Sequence, residues 1–134
     1  MSKAPAGMAY PEYEQAVAFH RALMQRLNIT DADEPNEQRL RASLDRARQL
    51  GGAQRGDLVM TACALMFELI KAAAYGNYSK QGGMALTLAF LLRHGAAVNA
   101  EDEELAGVAF AIAEGKVFVG MLDQWLRSTL SAVR

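Results

Sequence analysis

A chain of 134 residues with 51% hydrophobic and 22% charged residues has the make-up of an ordinary globular domain, long enough to bury a core without staples. Its 14 Lys+Arg against 15 Asp+Glu, a formal net charge of −1, exclude a charge-driven disordered chain and give no global field favouring nucleic acid. The single cysteine, Cys63, has no partner for an intramolecular disulfide, which points to a reducing cytoplasm.

The opening stretch MSKAPAGMAYPEYEQ contains Pro5, Gly7 and Pro11 and no continuous apolar run. Residues 1–10 are therefore expected to be a flexible tail, neither a secretory signal nor an anchor, ahead of a single helical domain over 11–134. Pro11 suits the first turn of a helix, and Tyr13, Ala16, Val17, His20, Met24 and Leu27 recur at spacings of three and four, so an amphipathic helix ending near Asn28 is predicted. NITDADEPNE reads as a loop. A second, more polar helix follows, with Leu40, Leu44 and Ala47 inward, and it should stop before Gly51-Gly52.

GGAQRG reads as a turn, with Asp57 capping a third helix from Leu58 to about Tyr75 and Gly76 just beyond its end. One narrow strip of that helix carries Asp57, Thr61, Ala64, Glu68, Lys71 and Tyr75, and the rest of its circumference is apolar, which places it in the middle of the fold. Its apolar run Leu58–Phe67 is far short of the roughly 20 residues of a membrane span. GNYSKQGG reads as a loop before a fourth helix from about Gln81 or Met84 to His94, apolar nearly all round. Asn99 can cap a fifth helix with Glu101, Asp102, Glu103 and Glu104 in its first turn and Leu105, Val108 and Ile112 on its inner face. The last segment has Phe118, Met121, Leu122, Trp125 and Thr129 at helical spacing. Its KVFV also suits a strand, but helix is preferred over 115–120 because no second convincing strand is present to pair with it. The sum is an all-α fold, a compact bundle of about five or six helices joined by short Gly-containing loops.

The stretch LLRHGAAVNAEDEEL resembles the end of an ankyrin repeat through Leu91, Leu92, Gly95, Ala96, Val98, Asn99 and Ala100, with Ala113-Glu114-Gly115 as a faint echo of the junction between the two repeat helices. The resemblance would imply protein binding. The Thr-Pro-Leu-His signature has no counterpart and no repeat period is sustained, so a glycine cap on one helix and an Asn cap on the next is the preferred reading, and the family is not assigned.

Candidate site residues are few. His20 falls within the apolar stripe of the first helix, where a hydrogen-bonded core histidine is preferred to a general base or ligand; a base would need Glu14, Glu68 or Asp123 beside it. His94 reads as a helix C-terminal residue, and Glu68 with Lys71 as a surface ion pair. Arg39, Arg41, Arg46 and Arg48 straddle the Leu40/Leu44 stripe of the second helix, with Arg55 beyond it, and no aromatic residues interleave them. Glu101, Asp102, Glu103 and Glu104 read as a solvated helix start that could dock on a basic partner. GGAQRG and GNYSKQGG lack phosphate-loop spacing, and no Ser-His-Asp, Cys-His or HExxH pattern occurs, so no cofactor or metal is expected.

Two helices without a broad polar side are more than one small bundle needs at its centre. Part of the fourth helix, around Met84, Leu88, Leu91 and Leu92, is therefore expected to stay apolar and exposed as an interface. The function expected is that of a cytoplasmic protein-binding module (adaptor, inhibitor or chaperone-like), homodimeric and without catalytic activity of its own. The alternatives are a helical pocket for a small apolar ligand or an enzyme using His20, and nucleic-acid binding through the arginines of the second helix. Seven methionines, among them Met60, Met66, Met84 and Met121, suit either an adaptable surface or an irregular core.

Overall fold

Six α-helices form within residues 10–53 and 57–132, the parts of the chain that the computed structural model describes. They are α1 (Tyr13–Arg26), α2 (Glu37–Ala53), α3 (Leu58–Lys71), α4 (Ser79–Arg93), α5 (Asp102–Ala113) and α6 (Val119–Thr129). A two-stranded antiparallel ribbon accompanies them, β1 (Ala96–Val98) against β2 (Leu130–Ala132), in the register Ala96↔Ala132 and Val98↔Leu130. The fold is the all-α bundle expected from the hydrophobic periodicity. Most of the expected tail, residues 1–9, lies outside the described residues, as do residues 54–56 of the GGAQRG turn, Arg55 among them. Tyr10, assigned to that tail, packs on the fold: its ring meets Phe90 edge-on with centroids 5.9 Å apart, and its hydroxyl donates to the Leu44 carbonyl.

Helix α3 is the centre. It packs most extensively on α2, then α4 and α6, and more lightly on α5. Every residue from Thr61 to Met66 is buried, as are Leu69 and Ile70. Most of the polar strip that the helical projection leaves to water is also covered, Lys71 staying exposed. Thr61, Ala64 and Glu68 are buried where α2 turns a row of Leu40, Ser43, Leu44, Ala47 and Gly51 toward α3, and Tyr75 is buried against α1 and α4. At Gly51 the approach is so close that a Cβ would stand 1.9 Å from Thr61 Oγ1. This glycine does not end the helix, as expected from sequence; α2 continues to Ala53, and the missing side chain serves helix packing instead. On the opposite side Gly83 lets α4 approach, where a Cβ would meet Ile70 Cγ1 at 2.8 Å. That is why SKQGG, expected to be loop, is the first turn of α4, after a short 3-10 turn at Gly76–Tyr78.

Helix ends follow one pattern. At the C-terminus of α1 the Asn28 N–H reaches Gln25 O and the Ile29 N–H reaches Met24 O; the same pair of bonds recurs at Ala73 and Ala74 after α3 and at Gly115 and Lys116 after α5. This arrangement needs a left-handed residue, supplied by Asn28 (φ 58°), Ala73 (φ 53°) and Gly115 (φ 75°). Helix α3 therefore ends near Lys71, a turn earlier than Gly76 suggests. Gly95 (φ 81°) does stop α4 as expected. Asn99, however, does not cap α5: its N–H donates to Thr129 O at 2.8 Å and extends the ribbon, and Glu101 is the N-cap residue. The ribbon is an element that sequence periodicity does not show. Residues 116–118 are neither helix nor strand, and α6 begins at Val119 with Leu122 and Leu126 inward while Phe118 and Met121 face out.

Asp57 starts α3 as expected. Its carboxylate accepts from the N–H groups of Val59 at 2.9 Å and Met60 at 3.2 Å, and takes Arg127 Nη2 of α6 at 2.7 Å. Burial pushes its pKa up, but the bonds from Met60, Arg127 and Val59 outweigh that and hold it below the usual value. One carboxylate thus caps the central helix and ties the last helix to it. Among the described residues no helix is long and apolar enough to cross a membrane.

Candidate functional site

Helix α4 has no broad polar face, so its two sides meet different neighbours. Gly82, Gly83, Leu86, Thr87 and Phe90 are buried, and the Thr87 hydroxyl is satisfied by Gly83 O at 2.8 Å. The other side, with Lys80, Gln81, Met84, Ala85 and Leu88, forms the floor of a groove of about 620 Å³. Helix α5 supplies one wall through Leu105, Ala106, Ala109 and Phe110, and the end of α1 supplies the other through Leu23 and Leu27. The lining is apolar apart from Lys80, Gln81 and Asp102. Phe110 and Leu27 keep 53% and 50% of their surface in solvent, which water-exposed aromatic and aliphatic side chains at a fold's edge do at a cost in free energy.

Of the four residues expected to form an exposed patch, Met84 and Leu88 lie in this groove, Met84 nearly covered at 6% exposure and Leu88 half-buried. Leu91 corrects the expectation: it is fully enclosed in the core. Leu92 is 55% exposed but does not line the groove. Successive residues on a helix point about 100° apart, so Leu91 and Leu92 cannot share a face. The residues that sequence reasoning missed are Leu23 and Leu27, and Leu105, Ala106, Ala109 and Phe110 of α5. The signal for α5 was present: after its acidic first turn, LAGVAFAIA is apolar nearly all round, and Phe110 falls outside the Leu105/Val108/Ile112 stripe.

His20 is 2% exposed, with its ring stacked on Tyr75 at a centroid distance of 4.2 Å and an interplanar angle of 3°. It is a core histidine, but not a hydrogen-bonded one: neither ring nitrogen has a hydrogen-bond partner among the described residues. Burial lowers its pKa, with the Glu34 carboxylate pulling weakly the other way. The carboxylates that a His20-based reaction would need are engaged elsewhere. Glu14 faces Arg41 at 3.9 Å, Glu68 pairs with Arg46 at 3.3 Å, and Asp123 pairs with Arg127 at 3.0 Å. The Glu68–Arg46 pair also corrects the expected Glu68–Lys71 pair: Glu68 points into the α2–α3 seam, where the Ser43 hydroxyl donates to its carbonyl, while Lys71 is exposed.

The arginines of α2 mostly serve the fold. Arg41 Nε reaches Glu37 at 2.8 Å with its guanidinium 4.0 Å above the Tyr13 ring, and Arg48 reaches Glu12 at 3.0 Å with its guanidinium 4.8 Å above Tyr10. Arg39 is exposed, its N–H taken by the Asn36 side chain. Glu101, Asp102, Glu103 and Glu104 are all exposed; Asp102 stands on the groove rim, and Glu104 accepts the Trp125 indole N–H at 2.8 Å. His94 ends α4 with its ring edge-on to Phe90 at 4.9 Å. Cys63 is fully buried, and burial, foremost, pushes its thiol up to about 12, so it stays protonated. Among the described residues no three His, Cys, Asp or Glu side chains are grouped to hold a metal ion. The chain matches no protein-family model and no curated protein.

Proposed function

We propose that the protein is a cytoplasmic protein-binding module of the adaptor, inhibitor or chaperone-like kind, and that the α1–α4–α5 groove is its docking surface, occupied in the homodimer by a second copy of the chain. The carrying observation is the groove itself: exposed Phe110 and Leu27 beside a floor of Met84, Ala85 and Leu88. Its rim carries one cation and one anion, Lys80 and Asp102. Opposite charges on one self-associating patch are what a two-fold pairing can match against each other. Phe110→Glu and Leu88→Glu test the reading by light scattering. Both variants are expected to keep the helical content of the wild type and to shift its mass toward one copy. An unchanged mass in both would reject the groove as the interface.

A second reading has a specific observation in its favour. The volume of about 620 Å³ is within the range of small-molecule sites, so a small apolar ligand could take the groove instead. A rise in melting temperature with a medium-chain fatty acid, lost in Phe110→Glu, would support it. Nucleic-acid binding would require Arg41, Arg46 and Arg48 to leave their carboxylates, and affinity falling steeply with salt would be its signature.

A further inference from the structure

Helix α1 is the most lightly attached helix of the bundle. It meets α4 and α2 over short stretches and has no extensive contact with the central α3. It is also tied to the α3–α4 connection, where Tyr75 donates its hydroxyl to Ala16 O at 2.9 Å and stacks its ring on His20. Gly82 of α4 closes the pocket, since a Cβ there would stand 2.6 Å from the Tyr75 ring and 3.2 Å from His20 Nδ1. The imidazole is thus enclosed on three sides, fully buried, and unpartnered at both nitrogens among the described residues.

We propose that the His20–Tyr75 stack is an acid-operated latch that holds α1, and with it the Leu23/Leu27 wall of the groove, against the α3–α4 connection. Neutral imidazole leaves one N–H donor and one acceptor nitrogen unpartnered here, a cost smaller than that of burying a charge. Protonation makes both nitrogens N–H donors with no acceptor in reach and places a net charge where water is excluded. Two features favour the cation: the Tyr75 face, through its π-electrons, and Glu34 on the α1–α2 connection. Glu34 is itself held by Arg21 of α1, so part of its charge is already balanced. From α4 the facing residue is Gly82, and the cation nearby on that helix is Lys80 on the groove rim; from the α3–α4 connection the facing group is Tyr75, which is uncharged. None of these supplies an acceptor to the ring, so the protonated state is relieved by α1 moving away and admitting water.

The sign follows. The folded pKa of His20 lies below its ordinary value of 6.5, so the folded state binds fewer protons than the open one. The latch is fully closed above about pH 6.5 and loosens as the pH falls through the lower, folded value.

The test is amide hydrogen exchange at pH 7 and pH 5, corrected for the intrinsic rate, together with an NMR titration of the His20 ring. Expected are a titration midpoint below 6.5 and a loss of protection in the α1 amides at pH 5 that the α3 amides do not share. His20→Phe keeps an aromatic ring on Tyr75 and should abolish the difference, whereas His94→Gln, which removes the other histidine, should not. A His20 midpoint at or above 6.5 overturns the latch, as does equal loss of protection in α1 and α3, or a His20→Phe variant that keeps the difference. The wild-type titration decides the matter if His20→Phe fails to fold. Repeating the exchange in Phe110→Glu separates this inference from the docking reading: the latch is expected to respond to pH in a chain that no longer self-associates.

Discussion

Ala73 holds a left-handed backbone, φ 53°, that an alanine adopts at a cost of about 1 kcal/mol and a glycine adopts freely. Ala73→Gly is therefore expected to raise stability by about 0.5 kcal/mol once the greater freedom of glycine in the unfolded chain is set against the relief. Urea denaturation measures it, and a destabilised variant would mean that the turn after α3 is not strained. Asp57 works in the other direction. Removing its side chain in Asp57→Ala leaves Val59 and Met60 uncapped and takes away one of the two carboxylates that hold Arg127, the other being Asp123, for an expected loss of about 1–2 kcal/mol. Because its folded pKa lies below 3.8, the contribution of Asp57 is present above that pH and lost as the pH falls through the folded value, so the gap between wild type and variant should narrow in strong acid. Asp57 was legible in the sequence, since an acid before an apolar run has one plain meaning. Ala73 was not, because nothing in its side chain announces a positive φ.

Between helices, the α2–α3 seam depends on Gly51. A methyl group there would overlap Thr61 Oγ1 at 1.9 Å, and overpacking of this kind costs about 1–3 kcal/mol. Gly51→Ala should show that loss in thermal or urea unfolding, and adding Thr61→Ala, which removes the overlapping hydroxyl, should recover part of it. A silent Gly51→Ala would place the two helices farther apart than described. Sequence patterning identified inner-face residues such as Leu40, Leu44, Ala47 and Ile112, which are buried, yet it read Gly51 and Gly82-Gly83 as helix breakers. The distinction is tertiary: a glycine ends a helix when the backbone must turn left-handed and serves packing when another helix presses on it, and local sequence does not separate the two. The ribbon escaped for a related reason. Three-residue strands carry almost no periodic signal, and their pairing joins Ala96 to Ala132 across α5 and α6.

For the molecule as a whole, the exposed apolar side chains lie only partly where the sequence led us to expect them. Counting polar faces pointed to α4, and α4 does floor the groove; burial of Leu91 shows that much of its apolar side is used within the chain. The remainder is shared with α5 and the end of α1, two elements whose juxtaposition only the folded chain reveals. Sedimentation or light scattering of the wild-type chain across a range of micromolar concentrations, alongside Phe110→Glu, tests the docking groove most directly. A mass rising with concentration from one copy to two, and held at one copy by a folded Phe110→Glu, is the predicted result. A wild-type particle that stays at one copy throughout, or a Phe110→Glu particle that pairs as well as the wild type, would contradict it.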